Sequence, residues 1–155
     1  AAGILPSNGR RIVRALEVIE LTGAPFTASL PEPTPYYPSV QIGVDLDTEL
    51  LDERIARRVD RMWADGLVAE TRELVGRGLP DGRTASRALG YQQVLRFLAG
   101  ELTETEAYEE TIRATRRFVR RQRSWFRRDP RIHWLDSADP GLVAEALRVA
   151  TSAAR

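Results

Sequence analysis

Val40-Gln41-Ile42-Gly43-Val44-Asp45-Leu46-Asp47-Thr48 is the stretch on which the fold turns. Apolar residues at 40, 42, 44 and 46 alternate with Gln41, Gly43 and Asp45, the period of a half-buried strand. Asp47-Thr48 then supplies a cap for a helix from about Glu49 to Asp65. Leu51, Ile55, Val59 and Met62 fall at i, i+4, i+8 and i+11 and mark the buried face of that helix. A second short strand, Ile132-His133-Trp134-Leu135, lies far along the chain. Two strands so distant in sequence do not make a stable sheet alone. Either they pair weakly, or they belong to a larger sheet whose other strands lie elsewhere.

The rest reads as helix and turn, six or seven helices in all. Ser7-Asn8 before Gly9-Arg10-Arg11 is a helix start, and Ile12, Leu16 and Ile19 with Val13 and Leu21 give that helix an apolar stripe. Gly23 caps its end and Pro25 blocks continuation. Four prolines between Leu30 and Pro38 make an extended loop. Gly66 separates the Glu49–Asp65 helix from another over about Leu67–Arg77, which stops at Gly78. Leu79-Pro80-Asp81-Gly82 is a turn, and a short helix runs from Gly90-Tyr91 to Ala99-Gly100. Thr103 and Glu106 form a capping box before the longest helix, which runs to about Arg127 or Arg128 and is stopped by Pro130. Asp139-Pro140 opens a last helix ending near Ser152. The expected organisation is a body over residues 1–137 and a terminal helix over 138–155.

At 155 residues, with 43% hydrophobic and 29% charged side chains, the composition is that of an ordinary globular chain. There is no cysteine, hence no disulfide and no thiolate metal site. No apolar run approaches the roughly 20 residues of a membrane span. Ala1 to Pro6 has neither the charge nor the length of a signal peptide, so a cytoplasmic setting is the default expectation. All 23 basic residues are arginine. Codon bias in a GC-rich genome explains the missing lysine, so arginine content alone says nothing about RNA. The distribution says more. Residues 40–110 carry nine arginines against fifteen acids, whereas 111–131 carry nine against Asp129 alone. A concentrated positive field recruits a polyanion.

Three stretches carry chemistry. In the long helix Arg113, Arg116, Arg117, Arg120 and Arg127 share a face, with Arg121, Arg123 and Arg128 close by. Ile112, Val119, Gln122 and Phe126 lie opposite, flanked by Phe118 and Trp125. Like charges four residues apart repel by a few tenths of a kcal/mol per pair, a strain that an anionic partner relieves; guanidinium planes match phosphate oxygens and stack on bases. Pairing with the acidic middle segment is the alternative. Arg10, Arg11 and Arg14 crowd a helix start, where free N–H groups and arginines bind anions; ion pairs with acids such as Glu17 are the alternative there. Arg87, in Ser86-Arg87-Ala88-Leu89-Gly90-Tyr91-Gln92-Gln93, stands before a glycine at a helix entrance, a place suited to a phosphate. Tyr91 and Trp125 are candidates to stack on bases, with core packing as the alternative. The sequence holds no Gly-x-x-x-x-Gly-Lys-[Ser/Thr] and no Gly-x-Gly-x-x-Gly. His133 is its only histidine, which excludes a histidine triad or a histidine metal cluster. Asp45 and Asp47 do not by themselves make a metal site.

Taken in order, these motifs resemble one family. Arg10-Arg11-Ile12-Val13-Arg14-Ala15-Leu16-Glu17-Val18 followed by Thr22-Gly23 and Pro25 looks like the arginine-rich helix of the tRNA dimethylallyltransferases. Arg54-Ile55, Arg58-Val59, Met62, Gly66-Leu67 and Glu70 fit its next segment, and Ala88-Leu89-Gly90-Tyr91-Gln92-Gln93 its Gly-Tyr motif. Thr115-Arg116-Arg117-Phe118 through Arg121-Gln122 to Trp125-Phe126-Arg127 is similar to its carboxy-terminal signature, with the Ile132–Asp136 strand following. The resemblance covers about residues 4–137.

It implies an α/β fold, predominantly helical in this portion, whose two short strands would complete the parallel sheet of a P-loop nucleotide-kinase-like core. It implies transfer of a dimethylallyl group from dimethylallyl diphosphate to the exocyclic amine of the adenosine 3′ to the tRNA anticodon, with Mg²⁺. Arg87 matches the family's diphosphate-holding arginine. The tRNA anticodon stem-loop would be met by Arg10, Arg11, Ile12, Val13 and Arg14, and by Arg113, Thr115, Arg116, Arg117, Arg120, Arg121 and Arg127. The P-loop, the Mg²⁺-binding hydroxyl and the aspartate that acts on the adenine amine belong to the family's amino-terminal half. The Mg²⁺ ligands are therefore expected mainly outside this chain, the complete protein is expected to act as a monomer, and this chain alone is expected to be inactive. Gln93 departs from some members and is given no role. The competing readings are a freestanding helical RNA-binding module without catalysis and a protein-interaction fragment with an acidic partner.

Overall fold

A computed structural model describes residues 6–26 and 36–152. They fall in two compact units, 1–38 and 39–155. Most of the expected proline loop, and the opening Ala1–Ile4, lie outside the described residues.

The first unit holds α1, Gly9–Thr22. The Asn8 side chain accepts from the Arg11 N–H at 3.4 Å, and Gly23 closes the helix with φ 66°, its N–H donating to the Ile19 carbonyl. That left-handed position is why a glycine stands there. The apolar stripe exists but is largely exposed: Val13, Leu16, Ile19 and Leu21 all face solvent, while Ala15 is buried.

The second unit runs β1 (Gln41–Asp45), α2 (Thr48–Ala64), α3 (Leu67–Val75), two short 3₁₀ turns (Leu79–Asp81 and Ala85–Arg87), α4 (Tyr91–Leu98), α5 (Glu104–Phe126), β2 (Ile132–Asp136) and α6 (Leu142–Ser152). The two strands pair with each other in parallel, Gln41 opposite Ile132 and Asp45 opposite Asp136. Gly43 sits opposite Trp134. A Cβ there would lie 2.6 Å from Cε3 of Trp134 and 2.7 Å from Cγ2 of Ile132. The glycine therefore lets the indole lie across the strand. Val44 and Trp134 remain exposed on this small sheet.

Capping follows the sequence closely. The Asp47 carboxylate accepts from the N–H groups of Glu49 and Leu50 at 2.8 and 3.3 Å. Thr103 and Glu106 make the reciprocal box, with Thr103 N–H to Glu106 at 2.7 Å and Glu106 N–H to Thr103 at 3.2 Å. The helices pack α2 on α5, α4 on α5 and α3 on α4. Ile55 and Val59 of α2, Leu67 and Thr71 of α3, Val94 of α4, and Ala107, Thr111 and Ala114 of α5 are buried. Leu51 and Met62 only half-close the expected α2 stripe. Thr71 and Thr111 are buried because each hydroxyl donates to a carbonyl of its own helix, Leu67 at 2.7 Å and Ala107 at 2.8 Å. Small residues on that side of α5 let α2 and α4 approach closely.

Gln93, given no role above, has one. Its side-chain oxygen accepts the buried Gly90 N–H at 2.9 Å and so caps α4 from within. Gly90 adopts φ 95°, and a Cβ there would come within 3.2 Å of Met62 Cε. The Gly-Tyr motif is thus closely packed against α2 and α3.

Candidate nucleic-acid interface

Arginines in and just after the second half of α5 are tied to acids from distant parts of the chain, and Arg113 and Arg117 to acids of α5 itself. Asp45, at the end of β1, accepts from Arg123 at 3.0 Å and Arg127 at 2.7 Å. Asp52 of α2 accepts from Arg120 at 2.9 Å, and the Arg116 Nε stands 3.5 Å from the same oxygen. That last contact is an ion pair without hydrogen-bond geometry; Arg116 instead donates through Nη2 to the Asp52 carbonyl at 3.3 Å. Glu110 accepts from Arg117 at 2.6 Å and Arg113 at 3.0 Å, and Arg113 also reaches Glu109 at 3.1 Å. Pairing with the acidic middle segment, the alternative weighed above, is therefore real for Arg113, Arg116, Arg117, Arg120 and Arg127. Arg121 has no ion pair among the described residues and is exposed.

Electrostatics follow the geometry. Burial pushes the Asp45 carboxyl up, but hydrogen bonds from Arg127, the Leu46 N–H and Arg123 outweigh it and hold the group below the usual carboxylate range. Glu110 is lowered by its hydrogen bonds from Arg117 and Arg113, and Arg113 is raised by the same acids.

The pairs leave much of the basic face accessible. Arg120 keeps 56% of its side chain exposed and Arg127 59%, whereas Arg123 keeps 22%. Thr115 is half-buried and its hydroxyl donates to the Thr111 carbonyl at 2.7 Å. On α1, Arg14 pairs with Glu17 at 3.3 Å, as the alternative reading there supposed. Arg10 and Arg11 are exposed with no side-chain partner among the described residues, Ile12 is half-buried and Val13 exposed.

Arg87 ends the second 3₁₀ turn, exposed and without an ion pair among the described residues. The α4 entrance beside it is partly closed as an anion cradle. The Gly90 N–H is taken by Gln93, and the Gln92 N–H by the Ala88 carbonyl at 3.0 Å. Any grip on an anion at this place rests on the guanidinium itself. Tyr91 is half-buried and its hydroxyl donates to Glu70 at 2.5 Å, a bond that raises its pKa. Trp125 is exposed.

Between the sheet, α2 and α5 lies an open, largely apolar cleft of about 390 Å³ lined by Leu46, Leu51, Val119, Phe126 and Trp134. Among the described residues, no three histidine, aspartate or glutamate side chains converge as a metal site would require. Arg54 and Arg58, noted in the sequence only as family-like positions, share an exposed face of α2 with Arg57 and Arg61, which the sequence reading left unnamed.

The family model described as IPP transferase matches residues 1–129. The chain belongs to the IPP transferase family. It is 84% identical over 155 residues to a tRNA dimethylallyltransferase of Salinispora tropica, an alignment covering 100% of this chain and 49% of that protein. It is 68% identical over 146 residues to the tRNA dimethylallyltransferase of Thermobifida fusca, with coverage of 94% and 46%. A crystal structure of full-length tRNA isopentenylpyrophosphate transferase from Bacillus halodurans is similar with a TM-score of 0.70 and 35% identity, over 99% of this chain and 46% of that one. The chain thus spans about half the length of the curated relatives it matches. Among its described residues no helix is long and apolar enough to cross a membrane.

Proposed function

We propose that this chain is the carboxy-terminal portion of a cytoplasmic tRNA dimethylallyltransferase, acting as a monomer. The complete enzyme transfers the dimethylallyl group of dimethylallyl diphosphate to the exocyclic amine of the adenosine 3′ to the anticodon. The observation that carries this reading is the match along the whole chain to proteins named for that activity, at up to 84% identity. In this reading the exposed arginines of α1 and α5 meet the tRNA backbone, and Arg87 places a fixed positive charge on the diphosphate. The two-stranded parallel sheet is continued by strands of a P-loop-type core outside this chain, and Mg²⁺ is held there too.

The chemistry is displacement of diphosphate by a weakly nucleophilic amine. Charge builds on the leaving oxygens, and a preplaced guanidinium stabilises it more in the transition state than in the ground state. The amine must also be oriented and deprotonated, a task this reading assigns to the part of the enzyme outside this chain. The adenosine must leave its stack to be reached.

The test is prenyl transfer to an anticodon stem-loop by the complete enzyme. Arg87→Ala is expected to lower kcat/KM for the diphosphate donor by roughly 10- to 100-fold, the range for losing a hydrogen bond to a charged group, and to leave tRNA affinity unchanged. Full donor affinity and turnover in that variant would remove Arg87 from the site. Turnover by the isolated chain at the complete enzyme's rate would refute the division of labour.

A further inference from the structure

We propose that α2 carries a second RNA-backbone surface, made by Arg54, Arg57, Arg58 and Arg61; the proposal rests on the tRNA reading above. The four residues stand at i, i+3, i+4 and i+7, so they form one stripe along the helix. All four are exposed. Together with Asp60 they line an open concavity of about 730 Å³. Among the described residues none of them has an ion pair within 4.0 Å. Asp60, the acid inside the concavity, is occupied by the Tyr108 hydroxyl.

This sets α2 apart from α5, where six arginines are tied to Asp45, Asp52, Glu109 and Glu110. On α2 the like charges at 54/58 and 57/61 repel, and Asp60, which lines the same concavity, makes no ion pair with them. The helix that presents them is held firmly, with Ile55 and Val59 buried on its other side and its start capped by Asp47. A row of guanidiniums in excess over the one acid beside them, on a firmly held helix, is what a polyanion meets with little ordering of its own.

The length of the row chooses among anions. Seven residues at about 1.5 Å rise span about 10 Å of helix axis. A nucleic-acid strand carries one phosphate per roughly 3.4 Å of axis, so the row matches about three successive phosphates. That exceeds the reach of a single diphosphate, and guanidinium forks suit phosphodiester oxygens in any sequence. The contact would therefore position the RNA and read no bases.

The experiment measures tRNA binding by the complete enzyme against salt concentration. Arg57→Gln with Arg61→Gln removes two charges that lie outside the family motifs. The slope of log K against log salt is expected to flatten by about 1.4 to 1.8, at roughly 0.7 to 0.9 per phosphate contact. Affinity near physiological salt is expected to fall roughly 2- to 30-fold, with the KM of the diphosphate donor unchanged. Arg57→Lys with Arg61→Lys keeps the charges and the slope, and Arg77→Gln with Arg148→Gln, at two ion-paired surface positions, leaves it as in the wild type. An unchanged slope in a folded glutamine variant, while the wild type binds tRNA with a steep one, overturns this surface and leaves the proposed function standing. A raised donor KM with an unaltered slope assigns the row to the donor and also overturns it. A wild-type enzyme whose tRNA binding ignores salt defeats the proposed function itself.

Discussion

Replacing Asp45 by asparagine removes one negative charge and leaves two guanidiniums facing a neutral amide. The loss can be worked from the two contacts. Asp45 keeps 17% of its side chain exposed and Arg123 22%, so their 3.0 Å bond is shielded from water. A hydrogen bond to a charged group in such a setting contributes about 1–2 kcal/mol. Arg127 is 59% exposed, and its 2.7 Å bond to the same oxygen contributes about 0.2–1 kcal/mol. Asp45→Asn is therefore expected to destabilise by about 1–3 kcal/mol, lowering Tm by roughly 4–12 °C at about 4 °C per kcal/mol. Arg123→Gln should have a larger effect than Arg127→Gln. Acid must erase the difference. The Asp45 carboxyl lies below its ordinary value of 3.8 in the folded chain. Its contribution is thus present above that ordinary value and is lost as pH falls through the lowered folded one. Thermal melting of wild type and the three variants between pH 7 and pH 2 checks this. Equal effects of Arg123→Gln and Arg127→Gln, or a wild-type advantage over Asp45→Asn that persists in strong acid, would refute the reasoning.

Two further substitutions probe the packing on which the interface stands. Gly43→Val places carbons where Trp134 and Ile132 already lie, within 2.7 Å of a Cβ; a loss of roughly 1–3 kcal/mol in chemical denaturation is expected, with a change in Trp134 fluorescence. Gln93→Leu keeps the bulk but strands the buried Gly90 N–H, so a loss of about 1–3 kcal/mol is expected in chemical denaturation.

Local chemistry was legible in the sequence where one residue decides one feature. Asn8, Asp47, Thr103 and Gly23 cap or end helices because of side-chain oxygens or φ preference, and each is found in that role. The second strand and the alternation around Val44 were equally legible. What the sequence withheld is what depends on distant approach. Arg116 meets Asp52 across 64 positions and Arg127 meets Asp45 across 82, so charge counting by segment saw the excess and its opposite without their joining. Gln93 looked unassignable because its partner is a backbone N–H that only becomes buried when α4 packs. The α2 row carried a readable signal in its helical spacing. It was hidden because fifteen acids share the 40–110 segment with it, and averaging charge over a segment discards the face on which each charge sits.

The pairing on α5 also bears on what that helix can present. A guanidinium has five N–H donors, and Arg120 spends one on Asp52 and Arg127 one on Asp45. Asp45 and Asp52 each serve two arginines, so each such group carries a net positive charge after pairing. Anchoring fixes the side-chain rotamers in the folded protein, and less conformational freedom is then lost when a phosphate binds to the remaining donors. A tRNA contact on α5 accordingly needs no free arginines. It needs acids few enough to leave an excess and placed on the inner side, which is where β1 and α2 hold Asp45 and Asp52. The two helices would then meet RNA in different ways: α5 with guanidiniums pre-set by acids beneath them, and α2 with guanidiniums that no close ion pair holds.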